Sequence, residues 1–397
     1  MKEIEEFTWP KGFYADGLRS GLRKKKLDLG WLYSQVPASA AGVYTTNQFC
    51  AAPTTLTKQT IEQGHQLQAL VVNSAVANSF TGSQGELDAQ TEQELVAAKL
   101  GINPKLVGVA STGVIGEFLP MAKLKAGINA LKLTANHKIT EAILTTDTHP
   151  KTISFEFEQA GQKCVMTGFC KGSGMIHPKM ATMLGFVVTD AKVDGKLLQE
   201  LLSDQVATSF NQITVDGDTS TNDMVVTMAN GLAVADSETL TKDSQDYQEF
   251  KQVFQAVLEY LAKEIARDGE GASKLVEVLV KGAASKRDAN VAAKAVVGSN
   301  LVKAALFGQD ANWGRIISAL GQTDVSIAVT KLDLAINQVA ILKASQKQAY
   351  DEEALQASLG QDQILIEVDL HTGQACGRAW GCDLTYKYVQ INASYRS

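Results

Sequence analysis

Several familiar chemistries are missing from this 397-residue sequence, and their absence narrows what the chain can do. No apolar run approaches the roughly 20 residues that a membrane-spanning helix needs. The start, Met1-Lys2-Glu3-Ile4-Glu5-Glu6, is acidic and has no apolar stretch of a secretory leader, so a cytosolic protein is expected, with no membrane partner. Positive charge is not in excess: 37 Lys and Arg against 43 Asp and Glu leave a net charge of -6, which argues against a phosphate-binding face and a nucleic-acid partner. The basic run Arg23-Lys24-Lys25-Lys26 then reads as a solvated face. The cysteines, Cys50, Cys164, Cys170, Cys376 and Cys382, are odd in number and scattered, without CxxC or His-Cys spacing; reduced, mostly buried thiols and no zinc are expected.

Loops that look like cofactor sites also fall short. Gly269-Glu270-Gly271-Ala272-Ser273-Lys274 lacks the first glycine of a P-loop and has the wrong order, and Gly172-Ser173-Gly174 lacks the third glycine of a dinucleotide fingerprint. The aspartates Asp216, Asp218 and Asp223 invite calcium, but Thr221 and Thr227 stand where an EF-hand loop requires glycine and glutamate. No metal and no bound organic cofactor is expected.

What is present is an ordinary globular composition, 45% hydrophobic and 20% charged, in a chain long enough for a large core and two or three subdomains. Alternation predicts short strands across residues 8–50, and apolar runs predict strands at 70–74, 106–110, 183–188 and 274–284. Residues 153–158 and 164–166 read as a hairpin turning at Ala160-Gly161. Helical spacing covers 85–100, 121–143, 194–210, 247–266 and 285–297, with a polar helix near 351–359.

The most informative stretch is 171–190, KGSGMIHPKMATMLGFVVTD. Two glycines, a serine and a proline make 171–178 a loop, and Met183 onward is a buried strand. Ala181 and Thr182 therefore stand where a loop feeds a core element. A threonine hydroxyl is a poor nucleophile until a base takes its proton, and an N-terminal threonine carries that base as its own α-amine, with a pKa of about 7.7–8.0. Thr182 gains such an amine only if the Ala181-Thr182 bond is cut. On residue types alone, a threonine opening a strand is a core or edge residue.

The run KGSGMIHPKMATML resembles the processing-site signature of the ornithine acetyltransferase family, also called glutamate N-acetyltransferase or ArgJ. Further blocks are similar to the family: Ala41-Gly42-Val43-Tyr44-Thr45-Thr46-Asn47, the TTDT at 145–148, GDTSTND at 217–223, and the FGQD and NWGR runs within 307–315. They extend from residue 8 to 397. Ala75 and Val76 depart from the pattern, where the family usually has glycine and asparagine, and no role is carried onto them.

The resemblance implies an α+β fold, a layered αββα-type sandwich, with a smaller C-terminal αβ subdomain at about 285–397. It implies self-cleavage into residues 1–181 and 182–397, which stay together as an α2β2 assembly. Thr182 would be the nucleophile, and Thr112 with Gly113, otherwise an ordinary turn, the oxyanion hole. Thr145, Lys171, Thr182, Glu270, Asn392 and the terminal Ser397 would bind substrate. The implied activity moves an acetyl group from N2-acetylornithine to glutamate through an acetyl-Thr182 ester. Members with and without acetyl-CoA as a further donor share these motifs, so that point stays open. An N-terminal-nucleophile amidase or aminopeptidase, in which water resolves the acyl-enzyme, and an uncut, non-catalytic amino-acid-binding protein are the alternative readings.

Overall fold

The computed structural model describes residues 1–177 and 183–394; residues 178–182 and 395–397, and with them Ala181, Thr182 and Ser397, lie outside the described residues. In chain order the first strands are β1 (Lys2–Ile4), β2 (Phe13–Leu18), β3 (Leu29–Tyr44), β4 (Gln66–Asn73), β5 (Val107–Ser111), β6 (Lys151–Gln159), β7 (Gln162–Lys171), β8 (Leu184–Thr189) and β9 (Met224–Ala229). They form one sheet in the order β1-β6-β7-β8-β9-β3-β4-β5, with β2 also on β3. The expected hairpin is β6–β7, and positive φ at both Ala160 (51°) and Gly161 (70°) gives the left-handed turn that matches strand twist.

β3 is one long strand rather than the short strands expected there, and it turns a corner. Its residues 29–33 pair with β4 and its residues 39–44 with β9; the pairing with β4 is interrupted between Tyr33 and Ala38, around Pro37, which has no N–H to give. The sheet thereby folds over itself. Phe169, Phe186 and Met224 of one half share a buried cluster with Phe13, Leu32 and Leu70 of the other. Because side chains alternate across a strand, Cys170, Val187 and Val225 face the opposite way, onto the helices Gly195–Val206 and Tyr247–Arg267. On the outside of the other half, Trp31, Val71 and Val109 pack against the helices Gly82–Leu100 and Met121–Ala130. The result is a mixed α+β sandwich of two sheet layers between helices. Helix Ala52–Gly64 closes the exposed edge of β5: the Thr57 hydroxyl donates to the Val109 carbonyl and accepts from its N–H, both at 2.7 Å.

A second sheet contains β10 (Leu275–Ala283), β11 (Asp333–Ile336), β12 (Val339–Lys343), β13 (Gln346–Lys347), β14 (Gln363–Asp369) and β15 (Ala375–Cys382), in the order β13-β12-β11-β14-β10-β15. It takes its first strand from Leu275, ahead of the stretch from about 285 suggested by sequence, because β10 is the parallel partner of β14 and the antiparallel partner of β15. Helices Lys286–Gly298 and Trp313–Gly321 cover its apolar face.

Residues 121–143 are not one helix. The helices Met121–Ala130 and Lys138–Ala142 are separated by a segment drawn onto β2: the Ala15 amide donates to the Thr134 carbonyl at 2.7 Å, and Asp16 accepts from the Lys132 amide at 2.9 Å and from Asn136 at 2.7 Å. These tertiary hydrogen bonds outweigh the helical spacing.

Glu92 sits fully buried in the helix Gly82–Leu100, and neither carboxyl oxygen has a hydrogen-bond partner among the described residues. Burial, with a smaller contribution from the charge of Asp88, pushes its pKa up to about 8. A raised folded pKa means that the native state holds the proton more tightly than the unfolded chain. Stability is therefore greatest below the unfolded value of about 4.3 and falls as pH rises towards 8. Denaturant unfolding of Glu92→Gln at pH 5 and pH 8.5 should show a loss between the two pH values that is smaller than the wild-type loss by roughly 2–5 kcal/mol. Equal losses would contradict a protonated Glu92.

Candidate active site

Register places the ends of several strands in one row. Lys171 pairs with Leu184, and Leu184 with Met224. Beside them open the C-terminal ends of β4 and β5, where Asn73 pairs with Ser111. The cavity at this end of the sandwich is lined by Thr112, Gly113, Thr145, Lys171, Glu270 and Asn392, with Met183, Leu184, Gly174 and residues 220–223. Six of the nine sequence-predicted positions thus share one cavity, although they span residues 112 to 392. The other three, Ala181, Thr182 and Ser397, lie outside the described residues. Met183, which follows Thr182, is at the wall and accepts the Met224 N–H at 2.9 Å.

The Thr112-Gly113 wall is built with main chain. The Thr112 amide donates to the Asn73 carbonyl at 3.0 Å, and the Val114 amide to the Ala75 carbonyl at 3.2 Å. Gly113 has φ of +127°, and a Cβ there would lie 2.2 Å from the Ala75 oxygen, so only glycine fits. Neither the Gly113 N–H nor the Thr112 hydroxyl has an intramolecular hydrogen-bond partner among the described residues. Two donors therefore face the cavity uncommitted, as oxyanion stabilisation requires. The Ala75-Val76 departure is accommodated because this segment works through its backbone: Asn73 Oδ1 accepts the amides of Ala75 at 3.3 Å and Val76 at 3.1 Å.

Glu270 enters from the loop after the helix Tyr247–Arg267, with its amide on the Ser173 carbonyl at 2.9 Å. Its carboxylate accepts from Asn392 Nδ2 at 2.7 Å, which ties the C-terminal helix Tyr386–Ser394 to the cavity. Gly174 is needed for this approach, because a Cβ would fall 2.3 Å from the Glu270 carboxyl carbon. Asp216 fixes the same loop from below, accepting the amides of Met175 at 2.6 Å and Ile176 at 2.8 Å.

A buried ion triad, which sequence reasoning missed, holds these segments together. Lys151 reaches Asp147 at 2.8 Å and Asp268 at 2.5 Å, and its side chain is inaccessible to solvent. Asp147 also accepts the amides of Thr145 at 3.0 Å and Gly172 at 2.6 Å. Asp268 accepts the Thr148 hydroxyl at 2.5 Å, and its carbonyl accepts the Ser173 hydroxyl at 2.7 Å. Burial opposes ionisation of Asp147, but the Lys151 and Lys171 charges and the bonds from Lys151 and Gly172 outweigh it and hold the carboxyl well below its usual range. Burial likewise works against the Lys151 cation, and the two aspartates more than offset it, raising its pKa. The only advance signal was the Thr/Asp cluster at 145–148; nothing in sequence spacing links Lys151 to Asp268.

The loop 217–223 is a structured turn at the cavity. Asn222 Nδ2 bonds the carbonyls of Ala77 at 2.7 Å and Ser111 at 2.9 Å, while Thr45 bonds the Ser220 carbonyl at 2.7 Å and Asn47 that of Thr219 at 2.9 Å. In the run Arg23-Lys24-Lys25-Lys26 the three lysines are exposed, as a solvated face requires, while the half-buried Arg23 donates to the Leu144 carbonyl at 2.6 Å and Lys26 reaches that of Thr145 at 3.2 Å.

Removing the cation alone would strand two buried carboxylates. Lys151→Met should cost about 3–5 kcal/mol in denaturant unfolding. A loss below about 1 kcal/mol would mean that the triad does not hold these loops.

The family model of the ArgJ family matches residues 14–397. The arginine biosynthesis bifunctional protein ArgJ of Lactiplantibacillus plantarum is 59% identical over 395 residues, covering 100% of this chain and 98% of its own. The protein of the same name from Listeria monocytogenes is 54% identical over 390 residues, 98% of each chain. The crystal structure of the arginine biosynthesis bifunctional protein ArgJ from Bacillus halodurans superposes with a TM-score of 0.52 at 52% identity, covering 54% of this chain and 100% of that one. With a family match that runs through every segment lining the cavity, this chain belongs to the ArgJ family.

Proposed function

We propose that this chain is a self-processing acetyltransferase of arginine biosynthesis, which moves the acetyl group of N2-acetylornithine to glutamate through an ester on Thr182. The observation that carries the reading is the convergence of Thr112, Gly113, Thr145, Lys171, Glu270 and Asn392 on one cavity whose wall includes Met183. Supporting it, relatives at 59% and 54% identity are named as bifunctional enzymes of arginine biosynthesis. The solved Bacillus halodurans chain, taken whole, spans 54% of this one, the same share that residues 182–397 make up.

In this reading the Thr182 hydroxyl attacks the Ala181 carbonyl, the amide C–N bond breaks as its nitrogen gains a proton, and water hydrolyses the resulting ester. Residues 1–181 and 182–397 remain associated, and two such pairs form an α2β2 assembly in the cytoplasm. No helix among the described residues is long and apolar enough to cross a membrane.

The freed α-amine then takes the Thr182 hydroxyl proton as the oxygen attacks the acetyl carbonyl. The Thr112 hydroxyl and the Gly113 N–H receive the oxyanion; each such donor lowers the barrier by on the order of 3 kcal/mol. Collapse breaks the acetyl–nitrogen bond, the leaving nitrogen takes the proton from the Thr182 ammonium, and ornithine departs. Glutamate enters the same cavity, its amine attacks the ester, and N-acetylglutamate leaves with Thr182 restored. Lys171 attracts the substrate carboxylate, Glu270 faces the ornithine side-chain cation, and Thr145, Asn392 and Ser397 complete the pocket. Acetyl-CoA, as a second acetyl donor, would enter at the same ester, in line with the word bifunctional in the relatives' names.

Intact-mass spectra of the wild type and Thr182→Ala should give two fragments meeting at Ala181 and Thr182 for the former and one chain of 42.5 kDa for the latter. Thr112→Ala should lower kcat for acetyl transfer from N2-acetylornithine to glutamate roughly 10²–10³-fold. A wild-type chain that stays whole, or one that releases acetate without acetylating glutamate, would overturn the assignment.

A further inference from the structure

The loop 217–223 contributes one group to the cavity that the mechanism above leaves unused. Asp223 is 3% exposed, and its Oδ2 is buried with no hydrogen-bond partner among the described residues. Its backbone cannot swing away: the Thr45 amide donates to the Asp223 carbonyl at 3.0 Å, and the next amide, of Met224, is held by Met183. Across the row Lys171–Leu184–Met224, Lys171 lies two strands away, about 10 Å between backbones. Both residues line the same cavity. Lys171 is 8% exposed, and its ammonium makes no hydrogen bond or ion pair among the described residues. A cationic side chain and a buried carboxyl oxygen thus share a cavity with no hydrogen bond or ion pair between them among the described residues.

We infer that Asp223 is a substrate-recognition residue, whose buried, unpartnered carboxyl group donates a hydrogen bond to the α-carboxylate drawn in by Lys171. This inference rests on the proposed acetyl-transfer function. Were Asp223 ionised, it would act as the counter-ion of Lys171 and repel the substrate carboxylate. Burial instead pushes its pKa well above the usual range, and the Ser220 hydroxyl and amide and the Lys171 charge offset this only in part. The acid form has an O–H to give, and a hydrogen bond to an ionised acceptor is the stronger kind. With Asp223 neutral, the cavity presents a cation and a donor at Lys171 and Asp223, and an anion at Glu270. That arrangement reads an amino acid by its carboxylate. N2-acetylornithine and glutamate both carry the α-carboxylate, so one device serves both half-reactions.

The test compares wild type, Asp223→Asn and Asp223→Ala, each first shown to be folded by its thermal transition. Asparagine is uncharged and keeps a donor, so kcat/KM should stay within about threefold. Alanine should raise KM for N2-acetylornithine and for glutamate roughly 10- to 100-fold with little change in kcat. The α-carboxamide of N2-acetylornithine supplies the readout that mere packing would not move: the preference for carboxylate over carboxamide should fall about tenfold in Asp223→Ala.

Loss of activity in Asp223→Asn would mean that an anion is required. An unchanged KM in Asp223→Ala, or equal losses on carboxylate and carboxamide, would also overturn the inference. If the wild type transfers no acetyl group, the acetyl-transfer reading fails by itself. Calorimetric binding of N2-acetylornithine then decides for Asp223: weakening of about tenfold or more in Asp223→Ala supports it, and equal affinity overturns it.

Discussion

The site depends on one solvent-excluded ammonium. Lys151 sits on β6, in the sandwich, and its two carboxylates come from loops on either side of the cavity: Asp147 from the segment before β6, and Asp268 from the end of the helix Tyr247–Arg267. Through them the cation fixes Thr145, Gly172, Ser173 and Thr148, and Asp268 stands two residues before Glu270. A buried charge is tolerated only when paired and hydrogen-bonded, so this triad has few alternative arrangements. That scarcity makes it suited to hold the cavity in register.

The cavity assembled around it has a polarity that runs with its proposed chemistry. Uncommitted donors, the Thr112 hydroxyl and the Gly113 N–H, line one wall; Lys171 and Glu270 line the same cavity with no ion pair between them among the described residues. Two glycines make the wall possible for different reasons. Gly113 provides a backbone angle that carries the turn past Ala75, and Gly174 provides room for a carboxylate to lie against the main chain. The C-terminal helix Tyr386–Ser394 closes the far side through Asn392, with Thr385 bonded to the Gly271 carbonyl and Asp383 to the Ser273 amide. Chain ends usually fray; this helix is tied to the loop that carries Glu270 through Asn392.

Much of the local structure follows from patterns within a window of a dozen residues. The β6–β7 hairpin, the strand after Met183, the long helix from Tyr247 and the alanine-rich helix after Ser285 are all written in apolar spacing and turn residues, because each is stabilised by neighbours in sequence. Where long-range bonds compete, spacing misleads: the segment between Ala130 and Lys138 is held against β2 despite helical periodicity, and the half-buried Arg23 is drawn onto the Leu144 carbonyl.

By itself the sequence determined many of the element types, the absence of zinc-, calcium- and nucleotide-loop patterns and, through its matching blocks, the family, and it pointed to Thr112, Gly113, Thr145, Lys171, Glu270 and Asn392 as candidate positions. Only the tertiary structure decided that these six share one cavity, that the sheet folds back on itself at Pro37, and that Lys151, Asp216 and Asp223 belong to the site. The reason is physical. A residue's propensity and hydrophobic period act along the chain, whereas desolvation, ion pairing and the fit of a missing Cβ exist only once distant segments have met.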